Sequence, residues 1–582
     1  MLINTVKIAL QSAIKEIFNE KIEKIDLGIP PNVELGDFAF ECFQLTKQLH
    51  QDPQKIAKKL AKEIKTNKVI QAVAAVGPYV NFKISRQALF GNIYSQIVLK
   101  NIAFNAPEKP QKTMVEYLSP NTNKPLHLGH LRNGSIGMAI ANILESTGNT
   151  VIKANLTNDR GVHICKSMLA WKKWGQKATP ESTGKKGDHF VGDWYVRFSK
   201  EAEKNAELKA EAQEMLKKWE KGDKDTLDLW KTMNNWVYDG FNKTYQKLGF
   251  KFDVFYYESD TYKLGKDIIS RGFKEGVFYQ DDNKALAFNL PESFGLNKDG
   301  SCKKVTVLRS DGTSVYITQD LGTAALKVLE HKLRRSIYVV GSEQNYHFKC
   351  LFEILSALGY PWAKRCQHLS YGMVYLPDGK MKSREGKVVD ADSLVAEVEE
   401  LALKEIRKRY SEKELSDDDA KIRAEKIGTG AIKFYLLRVH PSQVIRFNPQ
   451  ESISFDGFTG PYCQYAYARA AKILRDADIQ TDKELKNINF SFLESSEELL
   501  LAQKIMQFSE KVAMSAKGLN PSLATIQIFE IAKAFNQFYQ KNPILKADNL
   551  KLKKARIALT QMSAETIKKG LNLLGIETIE EM

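Results

Sequence analysis

The first hundred residues carry apolar positions in both helical and strand-like patterns. Apolar residues recur every three to four positions over Leu2–Ile22 and Pro53–Ile64, which predicts two amphipathic helices. Alternating apolar and polar residues over Tyr79–Ile84 predict a strand. The stretch 105–112 contains two prolines and two lysines and is typical of a linker. We therefore expect a small mixed α+β domain over residues 1–105.

Residues 110–394 carry a strand–helix–strand pattern. Short apolar runs that are typical of buried strands alternate with stretches of helical period. In chain order these segments are strand 114–117, helix 131–145, strand 150–156, strand 336–341, helix 348–358 and strand 369–376. Strand, loop, helix and strand within about 45 residues form a βαβ unit, the building block of a parallel sheet. The pattern predicts a Rossmann-type parallel-sheet domain.

Two further regions complete the predicted organisation. An insertion interrupts the sheet domain at about 173–310, and its first part, 173–250, is dominated by charged helical sequence. From about residue 395 nearly every segment has helical period, which predicts an α-helical bundle over 395–582. The expected fold class is therefore multidomain, α/β in the centre and all-α at the C-terminal end.

The composition is that of an ordinary folded protein with an excess of positive charge. Of 582 residues, 43% are hydrophobic and 27% are charged, which excludes extensive disorder. Lysine and arginine number 86 against 70 aspartate and glutamate residues, a net charge of +16. An excess of this size favours a nucleic-acid partner over a membrane surface, although plain solubility would also account for it.

We expect a cytoplasmic protein without a membrane partner. No apolar run reaches the roughly 18 residues that a membrane span needs, and the charged first helix lacks the features of a signal peptide. The six cysteines are scattered without a CxxC pair. This spacing argues against both a disulfide framework and a zinc site.

Candidate chemistry concentrates where the first strand of the predicted sheet leads into its helix. The junction contains His127-Leu-Gly129-His130, with Lys124 three residues before the first histidine. A helix that begins after a turn presents free backbone N–H groups and the positive end of its dipole. Two histidines there can donate to phosphate oxygens, and Gly129 lets a flat ligand approach the backbone. The pattern favours stabilisation of charge on phosphorus, although HxGH can also arise by chance at a helix start.

A second cluster follows the predicted strand 369–376. Four cations fall within residues 380–387, namely Lys380, Lys382, Arg384 and Lys387. A basic loop at the carboxyl end of a strand can close over a triphosphate and neutralise departing pyrophosphate. On composition alone a solvated basic turn is the better interpretation, but an HxGH turn in the same sheet reverses that balance.

These two clusters carry a family resemblance. The segments HLGH and KMKSR resemble the HIGH and KMSKS signatures of class I aminoacyl-tRNA synthetases. Segments from end to end, including VEYLSPNTNKPLHLGHLRNGSIG, VYITQDLGTA, VVGSEQNYHF and SFDGFTGPYCQYAYARAAKIL, are similar to the bacterial arginyl-tRNA synthetase family. The N-terminal GDFAF and AVGPYVNFKI resemble that family's additional N-terminal domain. The resemblance covers essentially the whole chain.

The resemblance implies an aminoacyl-tRNA synthetase, a ligase that attaches L-arginine to its cognate tRNA at the expense of ATP. It joins arginine to AMP as an arginyl-adenylate, releases pyrophosphate, and transfers the arginyl group to the tRNA with release of AMP. The implied partners are tRNA(Arg), L-arginine and ATP with Mg²⁺ as a substrate complex. The resemblance further implies a monomer with no tightly bound metal.

The resemblance also assigns the residues that bind arginine, namely Ser119, Asn121, His130, Glu258, Tyr316, Asp320 and Gln344. Glu258 and Asp320 are expected to pair with the planar guanidinium, with Tyr316 packing on it. Ser119, Asn121 and Gln344 match positions that hold the backbone groups of the amino acid. Glu116 is expected to orient the Ser119 loop, unless it is only a carboxylate at the strand end.

For ATP and catalysis the resemblance points to the two signatures. The ATP-binding set is His127, Gly129, His130, Met381, Lys382 and Ser383, and the catalytic set is His127, His130, Lys124, Lys380, Lys382 and Arg384. The chain departs from KMSKS, since Ser383 stands where the family signature has its second lysine. Lys124 is expected to supply the missing charge, with Lys382 and Arg384 as alternatives.

The tRNA is expected to contact both ends of the chain. The resemblance places anticodon recognition in the C-terminal bundle, with candidates Tyr462, Tyr465, Arg469, Lys551, Lys553 and Lys554, and places tRNA elbow contact in the N-terminal domain. Aromatic and guanidinium planes stack on unpaired bases, and lysines hold phosphates. Core packing is an equally good interpretation of any single one of the tyrosines.

Two other functions remain open at this point. A nucleotidyltransferase can use HxGH to adenylate a small phosphorylated substrate, but it needs no basic helical C-terminal third. A non-catalytic tRNA-binding relative would be expected to lack His127, His130 or the pocket carboxylates, and all of these are present.

Overall fold

The computed structural model describes residues 2–30, 32–99, 104, 110–377, 390–410, 414–477 and 488–581. Its N-terminal part contains, in chain order, α1 (Leu2–Phe18), β1 (Leu27–Gly28), β2 (Phe38–Glu41), α2 (Phe43–Leu49), α3 (Pro53–Glu63), β3 (Ile70–Val76), β4 (Tyr79–Ile84) and α4 (Arg86–Tyr94). The strands form an antiparallel sheet in the order β1-β2-β4-β3. Helix α3 begins where the Asp52 carboxylate accepts two backbone N–H groups. The two helices and the strand expected from the hydrophobic pattern are present.

The central part alternates strands and helices. In chain order it contains β5 (Lys112–Glu116), α5 (Leu128–Ser146), β6 (Thr150–Thr157), α6 (Val162–Trp174), α7 (Pro180–Thr183), α8 (Gly187–Lys204), α9 (Glu207–Glu220), α10 (Lys224–Lys247), β7 (Val254–Tyr257), α11 (Glu258–Thr261), α12 (Leu264–Lys274), β8 (Tyr279–Gln280), β9 (Leu286–Asn289), β10 (Lys304–Leu308), α13 (Tyr316–His331), β11 (Arg335–Gly341), α14 (Asn345–Ala357), β12 (Cys366–Tyr371) and β13 (Val374–Tyr375).

Five of these strands form a parallel sheet in the order β12-β11-β5-β6-β7. Met114 in β5 lies between Ile152 of β6 and Ser336 of β11. The chain proceeds from β5 toward β7 on one side and later places β11 and β12 on the other. The order therefore reverses at β5, and ligands of open parallel sheets bind at the carboxyl ends of strands beside such a point. The predicted Rossmann-type sheet is confirmed.

The region expected to be an insertion holds helices and two kinds of strand. Helices α7 to α10 account for most of its charged first part, as the pattern predicted. Strands β8, β9 and β10 form a separate antiparallel sheet. Strand β7, however, belongs to the parallel sheet, where it pairs with β6. This four-residue strand lies between charged segments, and the sequence pattern did not reveal it.

The predicted strand 369–376 is interrupted in the structure. Strand β12 ends at Tyr371, and β13 begins at Val374. At Gly372 the backbone N–H donates to the Pro441 carbonyl at 3.0 Å. A Cβ at this position would lie 2.7 Å from the carbonyl oxygens of Ser442 and Gln443. The chain therefore leaves the parallel sheet at Gly372 because another segment takes over its hydrogen bonds.

Helices make up most of the described C-terminal residues, which also include one short strand. It contains α15 (Ala391–Arg407), α16 (Asp417–Leu437), β14 (Ile445–Arg446), α17 (Pro449–Ser452), α18 (Gly460–Asp476), α19 (Ser496–Gly518), α20 (Ser522–Lys541) and α21 (Leu550–Leu573). Strand β14 pairs in parallel with β13. The predicted helical bundle is confirmed, and with it the multidomain α/β plus all-α fold class. Within the described ranges, no helix has both the length and the apolar character to cross a membrane.

Helix α5 joins the sheet to the bundle. It packs on the sheet with one side and contacts α16, α19 and α21 with the other. Asn142 donates to the carbonyls of Asn572 and Leu573 at the end of α21. A Cβ at Gly575 would lie 2.1 Å from Met138, so the chain after α21 passes directly over α5. One hydrophobic core consequently includes residues from all three parts of the chain.

Candidate active site

The His127–His130 turn is fixed by its own hydrogen bonds. His127 is the N-cap of α5, and its Nδ1 accepts the backbone N–H of Gly129 at 3.1 Å. His130 Nδ1 in turn accepts the backbone N–H of His127 at 3.1 Å. The ring centroids lie 3.9 Å apart. A Cβ at Gly129 would lie 3.0 Å from the His127 ring, so a glycine suits this close turn.

The environment keeps both imidazoles neutral. Burial, together with the Lys124 ammonium, lowers the pKa of His127 to about 4. Burial, together with the charges of His127 and Lys124, holds the pKa of His130 well below its usual value. A neutral imidazole has one donor and one acceptor nitrogen, and each Nδ1 already accepts a backbone N–H. Each ring therefore carries its proton on Nε2 and can donate it to a ligand.

Lys124 lies close enough to lower the pKa of both histidines. Burial also lowers the pKa of Lys124 itself. Its ammonium group therefore lies near the two N–H donors. This position agrees with the role expected for Lys124, which stays a prediction.

The loop between β5 and α5 is strained and tied down. Leu118 and Ser119 have φ values of 72° and 47°, which side chains other than glycine seldom adopt. The Asn133 amide oxygen accepts the backbone N–H of Leu118 at 2.6 Å. Its nitrogen donates to the Val339 carbonyl at 2.8 Å and to the Tyr371 hydroxyl at 3.2 Å. Asn133 thus connects the carboxyl ends of β5, β11 and β12.

The two residues expected to hold the arginine backbone lie in this strained loop. Ser119 Oγ accepts the backbone N–H of Leu156 at 3.4 Å. Asn121 forms an isolated parallel bridge with Asn158, which follows β6. Both residues are partly exposed at the carboxyl edge of the sheet. They are therefore accessible beside the His127–His130 turn.

A group of carboxylates forms the second half of the site. Glu258 begins α11 directly after β7, and its Oε1 lies 3.9 Å from Arg160 Nη1. With the Gln319 amide oriented to satisfy its neighbours, its nitrogen donates to Glu258 at 3.0 Å and its oxygen accepts from Arg160 at 3.2 Å. Arg160 also pairs with Glu220 at 2.7 Å. The Arg160 guanidinium is thus shared between two acidic residues.

Arg160 stabilises the negative charge of Glu258 only in part. Burial raises its pKa to about 7, and the charges of Asp159 and Asp320 add to this rise while Arg160 opposes it. Asp159 itself accepts from Ser259 and Tyr238 at 2.7 and 2.9 Å. A bound guanidinium would stabilise the ionised form of such a carboxylate, because opposite charges favour it. The two carboxylates expected for arginine binding are thus brought together.

The remaining residues expected to bind arginine lie on α13 and before α14, and their side chains are partly or largely exposed to solvent. Asp320 Oδ2 lies 2.5 Å from His347 Nε2, so α14 holds the carboxylate from one side. Tyr316 stands one turn before Asp320 and is 75% exposed. Gln344 is exposed in the turn that precedes α14. Most of the Tyr316 side chain is therefore accessible to solvent.

Glu116 has a different partner from the one expected. Its carboxylate forms a buried ion pair with Lys327 of α13. Lys327 lies two turns after Asp320 on the same face of that helix. Glu116 therefore pairs with the helix that carries Asp320, and its expected role in orienting the Ser119 loop stays a prediction. Its partner is 211 residues away in the chain, which no local pattern reveals.

The basic signature Lys380, Met381, Lys382, Ser383 and Arg384 lies outside the described residues. The chain segment that leads to it is firmly attached. The buried Arg132 of α5 donates to the carbonyls of Met373, Pro441 and Gln443 at 3.2, 2.8 and 2.6 Å. Sequence reasoning missed Arg132 and Asn133, which are buried polar residues of this helix.

The aromatic residues expected to bind tRNA form part of a stack. The guanidinium carbon of Arg469 lies 4.5 Å from the Tyr465 ring centroid and 4.8 Å from that of Tyr539. Arg409 lies over the Phe455 ring at 4.2 Å and near Tyr465 at 5.6 Å. Tyr465 and Arg469 are partly exposed. Tyr462 instead packs against Phe529 at the edge of the core.

The expected lysines lie in the first turn of α21. Asn549 caps this helix and accepts the backbone N–H of Lys551. Lys551 is exposed, and Lys553 and Lys554 are partly exposed. Lysines at a helix N-terminus add to the positive end of its dipole. This turn therefore has the charge that suits an anion.

Comparison with known proteins agrees with this geometry. A family model described as "tRNA synthetases class I (R), catalytic domain" matches residues 93–442. Models described as "Arginyl tRNA synthetase N terminal domain" and "DALR anticodon binding domain" match residues 4–84 and 463–582.

Curated relatives match over nearly the full length. The chain is similar to an arginine–tRNA ligase of Treponema denticola, with 43% identity over 570 residues that cover 96% of this chain and 95% of that protein. An arginine–tRNA ligase of Parabacteroides distasonis is 40% identical over 597 residues, with coverage of 99% and 98%. The solved arginyl-tRNA synthetase of Thermus thermophilus superposes with a TM-score of 0.84 at 26% identity and covers all of both chains. On the strength of the catalytic-domain match and of relatives at 40–43% identity, this chain belongs to the arginyl-tRNA synthetase family.

Proposed function

We propose that this chain attaches L-arginine to tRNA(Arg) at the expense of ATP, through an arginyl-adenylate. The observation that carries the proposal is the juxtaposition of two chemistries on one sheet edge. Neutral histidines offer Nε2–H donors at the start of α5, and the carboxylates of Glu258 and Asp320 lie after β7 and on α13. The first set suits a phosphate and the second suits a guanidinium.

In the first step a carboxylate oxygen of arginine attacks the α-phosphorus of ATP. The new bond joins that oxygen to phosphorus, and the bond to the bridging oxygen breaks, so pyrophosphate leaves with its electron pair. Negative charge builds up on the phosphate oxygens in the transition state. His127 and His130 are assigned to donate to these oxygens, and Lys124 adds a fixed positive charge.

ATP is assigned to the His127–His130 turn and to the basic signature. Gly129 leaves room for the nucleotide at the helix start, and Met381, Lys382 and Ser383 complete the ATP-binding set. Lys380, Lys382 and Arg384 are assigned to the departing pyrophosphate together with Lys124. Mg²⁺ enters with the triphosphate as part of the substrate.

Arginine is assigned to the carboxylate group. Glu258 and Asp320 pair with the guanidinium, and Ser119, Asn121 and Gln344 hold the α-amino and carboxylate groups. His130 is assigned to the position between the amino acid and the α-phosphate. Tyr316 and Gln344 lie within one turn of the Asp320–His347 pair. Both side chains are exposed, which supports contact of Tyr316 with the guanidinium and of Gln344 with the backbone groups of arginine.

In the second step a hydroxyl of the terminal tRNA ribose attacks the arginyl carbonyl, and AMP leaves. Tyr465 and Arg469 are assigned to stacking on anticodon bases, with Tyr462 supporting them from the core. Lys551, Lys553 and Lys554 are assigned to tRNA phosphates. The N-terminal part is assigned to the tRNA elbow.

We infer three functional units, 1–105, 110–394 with its insertion at about 173–310, and 395–582. The protein is inferred to act as a monomer, since one chain supplies all of the assigned residues. Its substrates support action in the cytoplasm.

ATP–pyrophosphate exchange tests the proposal. Purified protein is incubated with ATP and labelled pyrophosphate, with and without tRNA, and with arginine or no amino acid. Exchange that requires arginine, together with arginylation of tRNA, is the expected result. Exchange driven by a small phosphorylated compound in place of arginine would indicate a nucleotidyltransferase. Tight tRNA binding without any exchange would indicate a non-catalytic relative.

A further inference from the structure

The start of α15 is bonded to the active-site turn. The backbone N–H of Ala391 donates to the Leu126 carbonyl at 2.8 Å. His127, which follows Leu126, forms an isolated antiparallel bridge with Asp390, which precedes Ala391. The Asp390 carboxylate caps α15 through the backbone N–H of Ser393 at 2.9 Å. The position of His127 therefore depends on where α15 begins.

Polar side chains from the start of α8 and from α10 fix that point. Asp392, in the first turn of α15, accepts from Lys186 Nζ at 2.6 Å and from His189 Nε2 at 2.9 Å. Thr244 of α10 donates to its other oxygen at 3.0 Å. Lys186 also reaches the fully buried Asp188 at 3.2 Å. Three elements thus meet at one carboxylate.

Helix α8 also supports the other side of the turn. A Cβ at Gly192 would lie 2.8 Å from Pro125 Cδ and 3.5 Å from Lys124 Cα. A Cβ at Gly187 would lie 1.8 Å from the Trp236 carbonyl, so α8 is seated directly against α10. The first two turns of α8 therefore contact residues 124–125 directly. They also bind the start of α15, which in turn is hydrogen-bonded to residues 126–127.

The cluster needs no metal ion. The ligand atoms of Asp188, His189 and Asp392 lie within 4.8 Å of one another, as in a cation site. The Lys186 ammonium, however, lies within 3.2 Å of both carboxylates and supplies the positive charge. Burial would raise the pKa of Asp392, but its hydrogen bonds to His189 and Lys186 outweigh burial and hold that pKa below its usual range. The Lys186 ammonium therefore occupies the place between the two carboxylates that a metal ion would take.

We propose that Lys186 and His189 are positioning residues for adenylate formation, which hold His127 and Lys124 in place through Asp392 and the start of α15. The inference rests on the proposed function, because it takes His127 and Lys124 as donors to the phosphate. The helical insertion thereby becomes part of the catalytic machinery without touching the substrate. A displacement of about 1 Å at a reacting group can cost on the order of 100-fold in rate.

The test compares Lys186→Met and Asp392→Asn with a matched control at the residue next to Lys186, which is the N-cap of α8. Lys185→Met removes an exposed lysine that pairs with Asp193 at 2.6 Å and makes no contact with the active-site turn among the described residues. Arginine-dependent exchange is measured for each variant at varied ATP and arginine concentrations. We expect kcat to fall roughly 10- to 100-fold for Lys186→Met and Asp392→Asn, with KM for ATP and arginine changed less than about twofold. Lys185→Met should match the unmodified protein.

A second pair of variants separates positioning from mere stability. His189→Gln keeps an N–H donor for Asp392, and His189→Leu does not. We expect His189→Gln to retain most of kcat and His189→Leu to lose it, with equal thermal midpoints and equal tRNA affinity. The proposal is overturned if kcat stays within twofold in Asp392→Asn and His189→Leu, or if Lys185→Met loses as much. Absence of arginine-dependent exchange in the unmodified protein would instead refute the proposed function.

Discussion

His130 Nδ1 accepts the backbone N–H of His127 at 3.1 Å, and the two rings lie 3.9 Å apart between centroids. The two histidines therefore act as one unit, because the residue that caps the helix dictates which nitrogen its neighbour offers to the crevice. Low pKa values for both rings preserve this arrangement across the neutral pH range. The turn offers two oriented N–H donors without any change of protonation.

Replacement of His130 by alanine should remove one of these donors. We expect adenylate formation to fall by about 10²–10³, since such donors act mainly on charge that develops in the transition state. Affinity for tRNA should stay nearly unchanged. Exchange kinetics and a filter-binding assay measure the two quantities, and full exchange activity in His130→Ala would exclude the residue from the mechanism.

The pKa of Glu258 predicts a pH dependence for arginine capture. Burial raises this pKa to about 7, so Glu258 in the free enzyme is protonated below that pH and must lose a proton when it pairs with a guanidinium. The kcat/KM for arginine should therefore rise by about tenfold per pH unit up to about 7 and level off above it.

A matched variant identifies the group that titrates. Glu258→Gln should have a lower kcat/KM for arginine and no inflection near pH 7. The kcat/KM for ATP, measured at saturating arginine, serves as the control. An unchanged inflection in Glu258→Gln would assign the titration to another residue.

Asp320 is predicted to set the choice of amino acid. Citrulline is neutral and would leave both carboxylates partly unpaired, and lysine cannot satisfy them in planar fork geometry. Analogues that leave buried polar groups unpaired are typically disfavoured by about 10⁴–10⁵. Asp320→Asn should lower the aminoacylation activity with arginine roughly 100-fold. The ratio of the activity with arginine to the activity with citrulline should become smaller.

Aminoacylation with arginine, lysine and citrulline measures this effect. Asp260→Asn is the matched control, because Asp260 is an exposed carboxylate of α11 two residues from Glu258. It should keep the arginine activity of the unmodified protein. Intact arginine activity in Asp320→Asn would place the residue outside the pocket.

Neutralisation of Lys551, Lys553 and Lys554 should weaken tRNA binding at low salt. Each phosphate contact releases counterions, so fewer contacts give a shallower slope of log affinity against log salt. Glutamine at all three positions should reduce the slope, and arginine at all three should preserve it. An equal slope in both triple variants would make these lysines an ordinary solvated face.

Features that depend on a local sequence pattern could be predicted, and features that depend on long-range contacts could not. The His127–His130 turn was predictable, because its cap, its glycine and its histidines lie within four residues of one another after an apolar strand. The parallel sheet and the helical bundle were predictable from apolar periodicity. Strand β7 was missed because only four residues, Val254–Tyr257, belong to it and charged segments surround them.

The remaining differences come from partners that lie far apart in the chain. Strand β12 ends just before Gly372, because the backbone N–H of Gly372 donates to a carbonyl in residues 441–443 and no longer to the sheet. Arg132 and Asn133 serve segments more than 200 residues away, and Glu116 pairs with Lys327. A buried polar residue in an apolar helix signals that such a partner exists, but the sequence does not identify it.

The burial of α5 on all sides limits how this protein can be dissected. The sheet covers one side of the helix, and α16, α19 and α21 cover the other, so 14 of its residues are buried. A recombinant fragment that stops before the bundle would expose the apolar back of α5, including Met138 beneath Gly575, to water. Exposed apolar area of this kind favours aggregation. We therefore expect a fragment without the bundle to lose the fixed geometry of the His127–His130 turn, although every residue of that turn would still be present.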